Sequence, residues 1–97
     1  MARLETAVLT ASETYTRNHA AQSERVETLR ARIAEATAGG RPDMVARHRK
    51  RGKLLVRERI DLLVDPGTAF LELSSLAAYG QYGGEVPGAG IVTGIGI

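Results

Sequence analysis

The 97-residue sequence contains no cysteine, no tryptophan and few aromatic residues. The absence of cysteine excludes disulfides, thiolate metal sites and thiol nucleophiles. Aromatic residues make up 4% of the chain, which is little for a protein that forms its core unaided, so we expect the core to be completed by further protein. The two histidines, His19 and His48, lie far apart and outside any HExxH or HxH spacing, so a metal site is disfavoured.

The sequence also lacks a long apolar run. No stretch approaches the roughly 20 apolar residues of a membrane span. Glu5 and Glu13 interrupt the N-terminal region, where a secretory signal would need an apolar core and a transit peptide would need few acidic residues. We therefore expect a cytoplasmic protein that does not bind membranes.

The small net charge of +2 conceals a strongly basic segment at residues 41–59. Against Asp43 and Glu58, this segment holds eight of the thirteen basic residues, namely Arg41, Arg47, Arg49, Lys50, Arg51, Lys53, Arg57 and Arg59. The basicity is thus a local feature and not a property of the whole chain.

Apolar residues recur at helical spacing through the first part of the chain. The pattern predicts a helix over 4–37, either continuous or broken near Asn18 and Gln22, whose polar side chains interrupt the apolar stripe. Gly39 and Gly40 are expected to end it, since glycine adopts the left-handed cap conformation without strain.

Two shorter helices are predicted next. Pro42 suits a first helical turn, and this helix should stop at Gly52, with its basic residues near the C-terminal end that the helix dipole favours. The third helix is predicted over 55–64, before the stop at Asp65-Pro66-Gly67. Arg57, Glu58 and Asp61 should face outward, and the apolar face should hold Val56, Ile60, Leu63 and Val64.

Beyond Gly67 the pattern becomes that of strands. Leu71 and Leu73 alternate with Glu72, which predicts a half-buried strand that extends over 76–79. After Pro87, isoleucines occupy one face of a second strand and glycines the other, and such a bare face predicts close packing of another layer. The pattern is still in phase at its last residue, so we expect more chain beside it.

Other motifs offer little chemistry. Gly88, Gly90 and Gly94 form GxGxxxG, one residue off the dinucleotide fingerprint, and they lead into a strand instead of a helix. The carboxylates form no acid–base pair, and Ser74 and Ser75 lack the context of a nucleophile. No catalytic residue is predicted.

The basic run RHRKRGK, residues 47–53, has three interpretations that remain open from composition. It is a solvated helix end, a nucleic-acid contact, or a surface that attracts the phosphates of a smaller ligand such as coenzyme A. No aromatic residue is interleaved with it, which disfavours single-stranded nucleic acid because base stacking has no platform.

Five short sequence strings, taken in their order along the chain, resemble the start of the carboxyltransferase (β) subunit of biotin-dependent acyl-CoA carboxylases. The resemblance covers roughly residues 38–96, with a further likeness upstream. Leu55 and Ala89 favour the methylcrotonoyl-CoA branch over the propionyl-CoA branch, whereas Val56 stands where the former usually has proline. The strings are SETYTRN at 12–18, RGKL at 51–54, RERIDLL at 57–63, DPG at 65–67 and FLEL at 70–73, followed by EVPGAGIVTGIG.

The resemblance implies an α+β fold in which an N-terminal helical arm, residues 1–52, leads into the first strands of a crotonase-like ββα superhelix. Residues 53–97 would be the incomplete start of the carboxyltransferase N-subdomain. The implied reaction moves a carboxyl group from carboxybiotin to an acyl-CoA or enoyl-CoA, with 3-methylcrotonoyl-CoA favoured. The family's oxyanion-hole loops would lie beyond Ile97, so a fragment ending there should be inactive.

The resemblance also implies partners. Biotin would be carried on a partner, the biotin carboxylase/biotin carrier (α) subunit, and coenzyme A would enter as part of the substrate. A homo-oligomer of β subunits is expected.

Within the basic run, Arg47, Arg51 and Lys53 are predicted to attract coenzyme A phosphates, with a subunit contact as the alternative role. Two other functions stay open. One is a non-enzymatic basic helical module that binds nucleic acid, which heparin retention would reveal. The other is a biotin-linked acyl-CoA decarboxylase subunit.

Overall fold

The computed structural model describes residues 2–97, where helices precede a small sheet, as in an α+β protein. The chain divides into two compact units, one running to Arg30 and the other over Ala31–Ile97. The predicted division at residues 52 and 53 stays a prediction. The elements are helix α1 (Glu13–Thr37), helix α2 (Pro42–Lys50), helix α3 (Val56–Leu63), strand β1 (Leu71–Leu73), a 3₁₀ turn (Tyr82–Gly84) and strand β2 (Thr93–Ile95).

Helix α1 begins at Glu13 and not at Leu4, so the predicted start is wrong. The hydroxyl of Ser12 accepts a hydrogen bond from the backbone N–H of Tyr15 at 3.1 Å. Serine favours this N-cap position because its oxygen satisfies an N–H that has no partner within the helix. Leu4 is 97% exposed, so the apolar repeat before Ser12 has no surface on which to pack.

The remainder of α1 follows the sequence pattern. The helix is continuous through Asn18 and Gln22, which selects the unbroken alternative. It ends at Thr37, and Gly39 and Gly40 then adopt φ values of 89° and 96°, in the left-handed region that favours glycine.

The apolar face predicted for helix α3 is only partly covered, since Ile60 and Val64 are half-buried whereas Val56 and Leu63 are exposed. Leu63 is 83% exposed, whereas the Arg57 side chain is only 24% exposed. The guanidinium donates two hydrogen bonds to the Glu72 carboxylate, at 2.5 Å from Nη2 and 3.2 Å from Nε. A third goes from Nη1 to the carbonyl of Ala36 at 3.3 Å. Arg57 therefore joins α3 to β1 and to the last turn of α1.

Strands β1 and β2 pair antiparallel, and Glu72 lies opposite Gly94. Leu71 and Leu73 were predicted to face inward, but they are 60% and 45% exposed. Glu72 faces inward because its partner is Arg57, so the predicted orientation of β1 is reversed.

The glycine face of β2 is closely packed, which confirms the prediction made from its sequence. A Cβ added at Gly94 would collide with the Phe70 ring, and one added at Gly96 would lie 2.8 Å from a methyl carbon of Val64. The end of this strand is tied to α3, since the carbonyl of Ile97 accepts a hydrogen bond from the N–H of Asp65 at 2.7 Å.

Residues 76–79 form turns and not the predicted strand extension. Strand β1 stops where Ser74 adopts a φ of 55°, which breaks the extended backbone. Ala78 is 4% exposed, and its N–H is hydrogen-bonded to the carbonyl of Pro87 at 2.9 Å, so this loop folds back on itself.

Little apolar surface is fully covered in the part of the chain that the structure describes. Its buried apolar residues are Ala36, Ala78 and Pro87, and the outer face of the sheet is open. Among residues 2–97, no helix combines the length and apolar content needed to cross a membrane.

Replacing Gly94 by alanine should destabilise the protein by about 1–3 kcal/mol, because the added methyl group overpacks against Phe70. Urea unfolding would measure this loss. The matched control is Gly88→Ala, whose Cβ would meet its nearest neighbour at 3.4 Å and should be tolerated. Equal effects of the two substitutions would contradict the packing argument.

Replacing Glu72 by glutamine should lower the free energy of unfolding by about 1–3 kcal/mol, because the half-buried Arg57 would lose its counter-charge. The control is Glu27→Gln. It removes an ion pair with Arg30 whose side chains are 71% and 68% exposed, and it should change stability by less than about 0.5 kcal/mol. A loss no larger than that of the control would show that the Arg57–Glu72 pair is not structurally important.

Candidate anion-binding site

The basic segment folds into the C-terminal end of α2, a short connection and the first turn of α3. Arg47, His48, Arg49 and Lys50 occupy the last turn of α2, where positive charge stabilises the helix dipole. Gly52 then adopts a φ of 73° and donates its N–H to the carbonyl of Arg49 at 2.9 Å. This glycine cap reverses the chain and ends α2, as the sequence predicted.

The His48 ring fixes the connection between the two helices. Its Nε2 lies 2.9 Å from the carbonyl oxygen of Leu54, and the Lys53 N–H is hydrogen-bonded to the His48 carbonyl at 3.4 Å. Because a carbonyl oxygen can only accept a hydrogen bond, Nε2 is the ring nitrogen that carries the hydrogen and donates it to Leu54. The ring thereby holds Leu54, and the His48 carbonyl holds Lys53, against the end of α2.

Glu58 fastens the start of α3 to the same region. One carboxylate oxygen accepts a hydrogen bond from the Leu55 N–H at 2.7 Å, and the other accepts one from Arg49 at 2.6 Å. The Leu55 N–H is the main cause that holds the pKa of Glu58 below its usual range, with a further contribution from the charge of Arg49. Glu58 thus neutralises Arg49.

These contacts shape an open depression on the surface, of about 450 Å³, that is lined by His48, Lys53, Leu54 and Arg59. Two of the four side chains, Lys53 and Arg59, are cationic, and no carboxylate lines the depression within residues 2–97. This lining favours anions.

Only one of the three predicted binding residues lies in this depression. Lys53 lines it, whereas Arg47 and Arg51 are exposed elsewhere at the end of α2. Sequence reasoning missed His48 and Arg59 as members of the site. The signal that could have found them is the short connection closed by Gly52, which brings the end of one helix beside the start of the next.

Several charges of the basic segment are already neutralised. Arg41 pairs with Asp43 at 2.8 Å and lies 3.7 Å from Glu85, while Arg49 and Arg57 are bound by carboxylates described above. In the described part of the chain, five basic side chains of this segment make no ion pair: Arg47, Lys50, Arg51, Lys53 and Arg59. The net positive surface therefore belongs to this smaller set.

No other feature adds chemistry to the site. Among the residues from Ala2 onward, no three His, Cys, Asp or Glu side chains are grouped as metal ligands. The loop with Gly88 and Gly90 leads into β2, which confirms that these glycines lack the helix of a dinucleotide fingerprint. The depression is thus a candidate site for an anion, and no metal-ligand cluster lies beside it within residues 2–97.

A cationic helical segment that leads into a glycine-faced strand pair is matched by a known domain family. The carboxyl transferase domain family matches residues 47–97, which is just over half of the chain and includes α3, both strands and the whole lining of the candidate site. The chain belongs to this carboxyl transferase family.

Individual relatives point to one branch of the family. The chain is 58% identical over 71 residues to the biotin-dependent 3-methylcrotonyl-coenzyme A carboxylase beta1 subunit of Mycobacterium tuberculosis, which covers 73% of this chain and 13% of that protein. It is 48% identical over 85 residues to the mitochondrial methylcrotonoyl-CoA carboxylase beta chain of Arabidopsis thaliana, covering 88% of this chain and 14% of the relative.

A relative that is named for a decarboxylation reaction is less similar to this chain than the two carboxylase subunits are. The methylmalonyl-CoA decarboxylase subunit alpha of Veillonella parvula is 36% identical over 78 residues, covering 75% of this chain and 15% of that protein. The chain thus spans only about one seventh of the length of the relatives it matches.

Lowering the pH should remove the stabilisation that Glu58 supplies. Its folded-state pKa is depressed, so the contribution is fully present above the unfolded-state pKa of about 4.3 and is lost as pH falls through the lower folded-state value. The difference in unfolding free energy between the wild type and Glu58→Gln should therefore shrink on acidification. Urea unfolding of both proteins between neutral pH and pH values below about 4 would measure it. A difference that stays constant over that range would contradict this role.

Proposed function

We propose that this chain is the N-terminal part of a carboxyltransferase subunit of a biotin-dependent acyl-CoA carboxylase. The 58% identity to a 3-methylcrotonyl-coenzyme A carboxylase subunit carries the proposal. The reaction is the transfer of a carboxyl group from carboxybiotin to an acyl-CoA or enoyl-CoA, and 3-methylcrotonoyl-CoA is the favoured acceptor. The lower identity to the decarboxylase subunit makes decarboxylation the second choice.

The proposed fold is the crotonase-like superhelix, with β1 and β2 as its first strands. The open sheet face supports this arrangement, since Leu71 and Ile95 are 60% and 63% exposed and need a covering layer in the complete domain. Biotin would arrive on an α subunit, and the β subunits would form a homo-oligomer. No residue of this chain is assigned to biotin. A cytoplasmic location stays a prediction.

The contribution of this chain to the reaction would be to draw in the substrate. Arg47, Arg51 and Lys53 are exposed and make no ion pair within the described residues, so their field is not cancelled locally. Coenzyme A carries several phosphate charges, and a cationic surface raises the local concentration of such a ligand in a salt-dependent way. Nucleic acid would respond to the same field, but family membership favours coenzyme A.

Reversing the charges with Arg51→Glu and Lys53→Glu together should raise the KM for 3-methylcrotonoyl-CoA by roughly tenfold at low ionic strength, with a smaller effect at high salt. The assay is carboxylation by the complete subunit assembled with its biotin-carrying partner. Arg17→Glu with Arg25→Glu is the matched control, because it makes the same change of net charge on α1.

The mass of the assembled complex should be measured for both double variants. An unchanged KM in the Arg51 and Lys53 variant would contradict the role in substrate attraction. Loss of assembly with an unchanged KM in the remaining complex would assign these residues to a subunit contact.

A further inference from the structure

The depression lined by His48, Lys53 and Arg59 has features that long-range attraction does not require. Arg47, Lys50 and Arg51 carry as much charge and are equally exposed, yet they line no concavity with these three. A diffuse field needs only exposed charges, whereas converging charges around a concave surface are suited to hold one anionic group.

The depression is held in place before any ligand arrives. The His48–Leu54 hydrogen bond and the Gly52 cap fix the connection that carries Lys53. Glu58 clamps the first turn of α3, from which Arg59 projects. Such preorganisation lowers the entropy lost on binding.

Glu58 is a carboxylate close to this site, and its charge is already neutralised. His48 makes a small contribution to the lowering of the Glu58 pKa, so the two side chains are near each other. Both Glu58 oxygens are nevertheless engaged, one by Arg49 and one by the Leu55 N–H. The positive potential at Lys53 and Arg59 is therefore not cancelled by this neighbour.

The charge of the site matches a phosphate monoester better than a diester. Lys53 and Arg59 supply two fixed positive charges, and a monoester carries close to two negative charges near neutral pH, whereas a diester or an internal pyrophosphate oxygen carries one. The His48 ring borders the same depression and fixes the connection that carries Lys53 through its contact with the Leu54 carbonyl. Coenzyme A has a single phosphate monoester, on its ribose 3′ oxygen.

We propose that His48, Lys53 and Arg59 form a subsite for the 3′-phosphate monoester of coenzyme A, separate from the attraction exerted by Arg47 and Arg51. The inference rests on the proposed function, which supplies the ligand. The site would distinguish coenzyme A from its 3′-dephospho form, and Leu54 would give the adjacent sugar an apolar contact.

The test compares kcat/KM for 3-methylcrotonoyl-CoA with kcat/KM for its 3′-dephospho analogue, in the complete subunit assembled with its biotin-carrying partner. The wild type should prefer the phosphorylated substrate by roughly tenfold or more, as expected for charge-assisted hydrogen bonds. Lys53→Ala and Arg59→Ala should each bring this ratio towards one. Lys50→Ala, which removes a neighbouring charge outside the depression, should preserve it.

The circular dichroism spectrum and the assembled mass of each variant would show that it is folded, and Lys53→Gln or Arg59→Gln replaces an alanine variant that is not folded. In the wild type, adenosine 3′,5′-bisphosphate should compete with the substrate more strongly than adenosine 5′-monophosphate, a measurement that needs no variant.

The outcomes separate the two proposals. Carboxylation with equal kcat/KM for both substrates, or a ratio that survives Lys53→Ala and Arg59→Ala, would overturn the subsite and leave the proposed function standing. A wild-type complex that carboxylates neither substrate would overturn the proposed function, and the subsite would fall with it as a coenzyme A site.

Discussion

The ion pair between Arg57 and Glu72 is the interaction on which the unit from Ala31 to Ile97 depends. It links α3 to β1, and its third hydrogen bond reaches the carbonyl of Ala36 in the last turn of α1. In the described part of the chain, the buried apolar residues are Ala36, Ala78 and Pro87, and no large apolar side chain is fully covered. Because so little apolar surface is covered, a half-buried charge pair with three hydrogen bonds from its arginine supplies the specific contact that orients these elements.

The candidate site is likewise held together by a few specific hydrogen bonds. Helix α2 ends at a glycine cap, and Glu58 then joins the first turn of α3 to Arg49 and to its own N-terminal backbone. These local bonds satisfy the carboxylate and one arginine at once. They leave the charges of Lys53 and Arg59 exposed beside His48, so the geometry that ends one helix and starts the next also creates the cationic depression.

Features that depend on neighbouring residues were predictable, and features that depend on distant ones were not. Gly39 and Gly40 end α1 because a glycine tolerates positive φ whatever surrounds it. The orientation of β1 depended instead on Arg57, which lies fifteen positions away from Glu72 and outweighs the alternation of leucines. Likewise, Lys53 could be selected from the basic run, but its companions His48 and Arg59 required the path of the chain between the helices.

By itself, the sequence determined the helix boundaries set by glycine and proline, the concentration of positive charge at residues 41–59, and membership of the carboxyl transferase family. Only the tertiary structure decided which of those charges are neutralised and which face of β1 is covered. The physical reason is that charge and backbone preference belong to each residue, whereas pairing and burial depend on which residues meet. Arg57 and Lys53 are alike in the sequence as cations, but one is bound by a carboxylate and the other faces an open depression.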